Sequence, residues 1–113
     1  PHRSEGFGRI IAEAMGLGSL VLASKFSGNL DFMNKKNSFF INGNIVKIKK
    51  SEYTSINNGA IWFEPNIHDC LVNLRSCINM SEIKRKNITS TAVSDIRRDF
   101  KLSRSAKKLS IIF

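Results

Sequence analysis

The sequence predicts an α/β fold from three features of its apolar pattern. A helix is expected over residues 8–17, entered and left through glycines, because its apolar residues recur at helical spacing. A continuous apolar run follows over 19–24 and is typical of an inner strand of a parallel sheet, buried on both faces. A later helix is expected from Asn66, and this alternation of helix and strand favours a sheet covered by helices. With 113 residues the chain has room for one domain or part of one.

The middle of the chain is predicted to hold short strands and a polar loop. Strands are expected over 38–41 and 44–48, on either side of the turn dipeptide Asn42-Gly43. The stretch 49–59 is loop-like, and 60–63 is a short apolar entry to the next element.

The second half of the chain is predicted to be helical. Asn66 is the expected N-cap, with Asp69 three residues on. The helix that follows has an apolar stripe that we interpret as core: Ile67, Cys70, Leu71, Leu74, Cys77 and Ile78. Less apolar helices are expected over 81–98 and 103–112.

The formal net charge of +9 is concentrated at the end of the chain. Basic and acidic residues balance over 1–34, whereas residues 82–113 include Lys84, Arg85, Lys86, Arg97, Arg98, Lys101, Arg104, Lys107 and Lys108. Such a segment suits an anionic membrane surface or a solvated face. Nucleic acid is not an expected partner, because only Phe100 and Phe113 could stack on bases.

Targeting signals and metal ligands are not evident. An apolar run of about 20 residues and a signal-peptide pattern are both missing, so we expect a cytoplasmic protein, peripheral at the inner face of the membrane. Cys70 and Cys77 would lie roughly 10 Å apart along a helix, too far for a disulfide. His2 and His68 have no partner at ligand spacing, so neither a metal nor a cofactor is expected.

The segment with the strongest functional signal is Glu5-Gly6-Phe7-Gly8, which opens the first helix. Glycines let the backbone approach a ligand closely, and the free amides of a first helical turn favour an anion such as phosphate. The alternative is a tight turn with no ligand. Glu13 follows Glu5 with seven residues between them, and both carboxylates can face one crevice. Carboxylates form charge-assisted hydrogen bonds to the hydroxyls of a sugar.

The first third of the chain resembles the nucleotide-sugar-binding half of the group 1, family four type retaining glycosyltransferases of GT-B fold. The residues that carry this match are Ser4-Glu5-Gly6-Phe7-Gly8, Ala12-Glu13-Ala14-Met15, Gly18, the strand 20–24 and Ser27-Gly28-Asn29-Leu30-Asp31. Glu5 and Glu13 match the family's E-x7-E motif. The resemblance is specific over 1–33 and continues to about 79, through Trp62-Phe63-Glu64-Pro65-Asn66.

The resemblance implies a fold, a domain organisation and a set of site residues. The fold is the C-terminal part of a Rossmann-like nucleotide-sugar-binding domain over 1–80, with basic C-terminal helices of the same domain over 81–113. Glu5 is the implied catalytic residue, beside the reacting carbon of the donor sugar, either as nucleophile or as stabiliser of a front-face displacement. Glu13 would bind the ribose hydroxyls. The other implied donor-binding residues are Gly6, Phe7, Gly8, Arg9, Ser27, Gly28 and Asn29, and Asp31 stands where many relatives carry glutamate.

The resemblance implies that a sugar is transferred, with retention of configuration, from a nucleotide-diphosphate sugar to a glycan or lipid-linked acceptor. It implies a role in glycan or lipopolysaccharide biosynthesis and a reaction that needs no metal. A glycosidase pair is disfavoured, because Glu13 would be occupied with ribose. The alternative is a catalytically inactive fragment or a non-enzymatic binding module with a cationic tail for an anionic membrane surface or nucleic acid. The resemblance also implies that an acceptor domain and two diphosphate-binding cations precede residue 1. By itself the chain is therefore expected to be inactive and to self-associate through an exposed sheet edge.

Overall fold

The described part of the chain has a mixed α/β structure with one parallel and one antiparallel pair of strands. A computed structural model describes residues 1–49, 51–52 and 59–101. In chain order the elements are α1 (Arg9–Gly16), β1 (Leu22–Ser24), a 3₁₀ turn (Gly28–Asp31), β2 (Phe39–Ile41), β3 (Gly43–Lys47), β4 (Ile61–Pro65), α2 (Ile67–Ile78) and α3 (Glu82–Asp99). The α/β class agrees with the prediction. The helix expected over 103–112 and most of the loop expected over 49–59 lie outside the described residues.

The parallel pair is formed by β1 and β2, with Leu22 opposite Phe39 and Ser24 opposite Ile41. The ladder continues beyond the strand ends, because the Lys25 N–H donates to the Ile41 carbonyl at 2.9 Å. Parallel pairing of the apolar run is therefore confirmed, although the strand is shorter than the predicted 19–24. Within the described residues, β2 is the only strand that pairs with β1, so the predicted inner position of this strand is not confirmed.

The predicted turn at Asn42-Gly43 is wrong. β3 pairs in antiparallel register with β4, from Gly43 opposite Pro65 to Lys47 opposite Ile61, and it does not pair with β2. A Cβ on Gly43 would lie 2.2 Å from the Glu64 carbonyl oxygen. The glycine therefore allows two strands to approach each other closely, rather than a reversal of the chain.

The core lies between the parallel strands, α1 and α3. Its buried apolar residues are Ala12, Met15, Val21, Ala23, Phe32, Met33 and Ala92. Gly16 of α1 meets Ile96 of α3 closely enough that an added Cβ would lie 3.3 Å from the Ile96 side chain. The small residues Ala12, Gly16 and Ala92 thus let α3 pack directly on α1 and hold it against the sheet.

The predicted N-terminus of α2 is confirmed, but its predicted core face is not. The Asn66 side chain accepts a hydrogen bond from the Asp69 N–H at 2.9 Å, as a capping residue should. Cys77 is buried, whereas Ile67 and Ile78 are 77% and 66% exposed. The apolar stripe is therefore not core within the described residues, because α2 packs there mainly on β2, which has three residues and cannot cover a helix of twelve.

Candidate functional site

The structure brings the loop around Glu5 and the loop around Gly28 together. The Ser27 hydroxyl donates a hydrogen bond to the Glu5 carbonyl, and the Glu5 N–H lies 3.3 Å from the Ser27 Oγ. The Gly28 N–H also donates to the Glu5 carbonyl, at 3.2 Å. Two segments that are more than twenty residues apart in sequence are thus joined through the backbone of the first motif glutamate.

Gly28 is required at this junction because the two backbones touch. A Cβ at this position would lie 1.9 Å from the Gly6 carbonyl oxygen and 2.8 Å from the Phe7 Cα. Both atoms belong to the backbone, so they cannot rotate out of the way. Ser27 adopts a φ of 76°, which is uncommon for a residue other than glycine, and its contacts with Glu5 hold it there.

The N-terminus of α1 opens directly beside this junction. Gly8 is the N-cap residue, with a φ of 82°, and none of the described side chains caps the helix. The first intrahelical bond is donated by the Ala12 N–H to the Gly8 carbonyl at 3.0 Å, so the amides of Arg9, Ile10 and Ile11 precede it and have no intrahelical acceptor. Such a terminus favours an anionic group.

Asn29 supports the loop from inside the protein. Its side chain is fully buried, and its Nδ2 donates to the Ser24 carbonyl at 2.9 Å at the end of β1. The Nδ2 also lies 3.1 Å from the Met33 Sδ. Its Oδ1 has no hydrogen-bond partner among the described residues. A Cβ on Gly8 would lie 3.4 Å from the Asn29 Cβ, so Asn29 packs against the start of α1.

The two motif glutamates lie in different environments. Glu5 is half-buried, and within residues 1–49, 51–52 and 59–101 its carboxylate has no hydrogen-bond or ion-pair partner. Glu13 is exposed on α1, and its Oε1 lies 3.4 Å from the Arg9 Nε. An exposed pair of this kind contributes about 0.3–0.5 kcal/mol, so a ligand can displace it at little cost.

An aromatic cluster that the sequence did not indicate supports Phe7. The Phe7 ring lies 5.3 Å from the Phe32 ring and 5.2 Å from the Phe100 ring, measured between centroids. Phe32 is buried beneath the 3₁₀ turn, and Phe100 caps the C-terminus of α3. The Phe7 side chain thus fixes the glycine loop to the core. The three residues are far apart in sequence, so no local pattern could have predicted the cluster.

Metal ligands and reactive thiols do not gather at this site. In the described part of the chain, no group of three or more His, Cys, Asp or Glu residues is placed to hold a metal ion. Cys70 and Cys77 are free thiols, as their spacing predicted. Burial raises the pKa of the Cys77 thiol, and the charge of Arg85 opposes that shift. The Arg85 guanidinium donates to the Cys77 carbonyl at 2.7 Å, which ties α3 to the end of α2.

Among the basic residues of α3, Arg98 is paired with neighbouring carboxylates. Arg98 lies 3.0 Å from Asp95 and 2.9 Å from Asp99, and its hydrogen bond to Asp99 raises the pKa of the guanidinium. Lys84, Lys86 and Arg97 are exposed. None of the described helices combines the length and the apolar composition that a membrane span requires.

Comparisons with known proteins found no match, whether against family models, curated proteins or solved structures. The interpretation of the site therefore depends on the residues of the E-x7-E stretch and on the geometry described above.

Proposed function

We propose that this chain forms the donor half-site of a retaining glycosyltransferase. The observation that carries the proposal is the junction of the two glycine loops beside the uncapped N-terminus of α1. Glu5, the amides that open α1 and Ser27-Gly28 come together there through contacts that only glycine permits. A tight turn with no ligand would need neither the unpaired Glu5 carboxylate nor the second loop.

The parts of the site have separate roles in the proposed reaction. The amides of the first turn of α1 bind the diphosphate and stabilise the negative charge that the leaving group gains as its bond to the sugar C1 breaks. Glu5 lies beside that carbon, where its carboxylate stabilises the positive charge of an oxocarbenium-like transition state. The acceptor hydroxyl forms its bond to C1 on the face from which the diphosphate departs and passes its proton to the departing diphosphate oxygen, so the configuration at C1 is retained.

Glu13 binds the nucleoside in this proposal. Its carboxylate accepts hydrogen bonds from the two ribose hydroxyls, and these bonds replace the weak pair with Arg9. The released Arg9 guanidinium remains at the first position of α1, where a diphosphate would gain from a positive charge. No metal is needed in this scheme, since the helix terminus and Arg9 supply the positive field.

Calorimetric titration of the 113-residue chain with uridine, guanosine and adenosine diphosphates tests the proposal. We expect one nucleotide to bind saturably, and Glu13→Ala to weaken this binding by about 1.5–3 kcal/mol, the value of a hydrogen bond to a charged group. Glu82→Ala is the matched control, because Glu82 is exposed on α3. A folded chain that binds none of the three nucleotides, or a Glu13→Ala variant that binds as well as the parent, would refute the proposal.

A second function is favoured by the exposed cations of α3. Lys84, Lys86 and Arg97 have no carboxylate partner among the described residues, so they are free to contact an anionic membrane surface. In this alternative the chain is a peripheral binding module at the inner face of the membrane. Flotation with phosphatidylglycerol vesicles should then fall steeply as salt rises, and a Lys84→Gln/Lys86→Gln variant should float less. Flotation that is insensitive to salt would contradict it.

A further inference from the structure

A second cleft lies between β2 and the first turns of α2. It is open, has a volume of about 360 Å³ and is lined by Lys25, Lys35, Phe40, Asn42, Asp69 and Asn73, among others. This volume is within the range of small-molecule sites. The residues of the proposed donor site, Glu5 to Gly8, Glu13 and Ser27 to Asn29, do not line it.

The edge of β2 presents an open backbone donor to this cleft. The Phe39 N–H donates to the Val21 carbonyl and the Ile41 carbonyl accepts from Lys25, so these two residues of β2 face β1. In a parallel ladder the residue between them, Phe40, directs its N–H and carbonyl away from the partner strand. Within the described residues, the Phe40 N–H has no acceptor.

The next outward-facing amide on the same edge is already bound to an anionic group. The Asn42 N–H donates to the Asp69 Oδ2 at 2.6 Å, and the Asn42 Nδ2 lies 3.2 Å from the same oxygen. The edge of β2 therefore binds one carboxylate that the chain itself supplies. At the preceding outward-facing position of that edge, Phe40, none of the described residues supplies a carboxylate.

Positive charge at the cleft comes from two loops. Lys25 follows β1 directly, at the carboxyl end of the parallel pair, and Lys35 lies in the turn that precedes β2. Neither lysine has an ion-pair partner among the described residues. Asp69 is the acidic residue that lines the cleft, and its Oδ2 is occupied by Asn42. The lining of the cleft therefore carries two ammonium groups and one open backbone N–H against a single carboxylate, so its net charge is positive.

We propose that this cleft binds a small phosphate-bearing ligand, whose anionic oxygens contact Lys25, Lys35 and the Phe40 N–H. Phosphate is favoured because it accepts several charge-assisted hydrogen bonds at once. The ring of Phe40, which is half-buried, offers an apolar contact to the rest of the ligand. This proposal is independent of glycosyl transfer, since it uses none of the residues assigned to the donor. The phosphate could be a free phosphorylated metabolite or the headgroup of a lipid.

Nuclear magnetic resonance titration of the ¹⁵N-labelled chain tests the cleft. Inorganic phosphate, glucose 1-phosphate and phosphatidylcholine vesicles containing phosphatidic acid are the three probes. With glucose 1-phosphate we expect saturable shifts of the Phe40 and Asn42 amide signals. Lys25→Gln and Lys35→Gln should each weaken binding about tenfold, the loss of one charge-assisted hydrogen bond. Lys36→Gln is the matched control, because Lys36 neighbours Lys35 but does not line the cleft.

The outcomes distinguish a free phosphorylated metabolite from a lipid headgroup, and binding at the cleft from binding at the donor half-site. Binding to vesicles alone, lost in Lys25→Gln but kept in Lys36→Gln, would assign the cleft to a lipid headgroup and still support the inference. Equal losses in all three lysine variants would show non-specific charge attraction and overturn it, as would unchanged Phe40 and Asn42 signals with every probe. Lys35→Gln should leave the Glu13-dependent binding of a nucleoside diphosphate unchanged, whereas Glu13→Ala should leave the Phe40 and Asn42 shifts with glucose 1-phosphate unchanged. The cleft can therefore fail while the donor site stands, and the reverse.

Discussion

Replacing Gly28 with alanine should separate the two loops that build the candidate donor site. The added Cβ would meet the Gly6 carbonyl oxygen at 1.9 Å and the Gly6 carbonyl carbon at 2.6 Å. Overpacking of this kind costs about 1–3 kcal/mol when the neighbours can move. Here the neighbours are backbone, so relief requires the Gly28 loop to lift from Glu5 and lose its hydrogen bonds, each worth about 1 kcal/mol. We expect a total loss of about 3 kcal/mol in the free energy of unfolding.

Urea unfolding followed by the fluorescence of Trp62, the one tryptophan of the chain, measures this loss as a shift of the midpoint. Gly6→Ala is the first control, because a Cβ there meets nothing within 4 Å. Gly43→Ala is the second, because its Cβ would lie 2.2 Å from the Glu64 carbonyl oxygen, so it also creates a backbone clash, but with β4 and not with the Glu5 loop. Both Gly28→Ala and Gly43→Ala should destabilise the chain, but only Gly28→Ala should weaken nucleotide binding by the folded protein. An unchanged midpoint for Gly28→Ala would refute the packing of the two loops.

Three further predictions concern the rest of the fold. Asn37→Ala should lower the free energy of unfolding by about 2 kcal/mol, because the buried Asn37 Nδ2 donates to Asp95 at 2.9 Å and ties the turn before β2 to α3. A loss below about 0.5 kcal/mol, measured by urea unfolding, would contradict this prediction. Ile67→Ala should lower the free energy of unfolding by under about 1 kcal/mol and Ile41→Ala by about 2–5 kcal/mol, since Ile67 is exposed and Ile41 is fully buried. Equal urea midpoints for the two variants would contradict the finding that the apolar stripe of α2 is not core. Burial raises the pKa of the Cys77 thiol from its ordinary 9.0, so the thiol ionises at lower pH in the unfolded chain than in the folded one. The free energy of unfolding should therefore fall as the pH rises past about 9, and the fall should be smaller in Cys77→Ala. Identical pH profiles of the two proteins would refute this contribution of Cys77.

The sequence predicted those elements whose signals are local. The α1 helix follows from its apolar spacing and flanking glycines, and α2 starts where Asn66 and Asp69 form a cap. The prediction at Asn42-Gly43 failed because its local turn signal was outweighed by distant partners. Asp69 holds the Asn42 N–H, and the Asn66 N–H donates to the Asn42 carbonyl at 2.8 Å, so the chain passes directly from β2 to β3.

The candidate site shows the same division between local and distant signals. The Glu5 to Gly8 loop and the Gly28 loop were each visible in the sequence, and their meeting was expected from the resemblance alone. The buried amide of Asn29 and the aromatic support of Phe7 could not be predicted, because their partners, Ser24 and Phe100, belong to other elements. Sequence patterns identify groups that could bind a ligand, whereas the contacts that hold those groups depend on packing.

Hydrogen exchange of the 113-residue chain, measured by mass spectrometry with and without a saturating nucleoside diphosphate, tests the donor half-site most directly. If the diphosphate binds at the N-terminus of α1 and the Gly28 loop, exchange should slow in peptides covering 5–13 and 27–29 and stay unchanged in α2. Protection confined to the basic helix α3, or none at a nucleotide concentration that saturates binding, would contradict the central proposal.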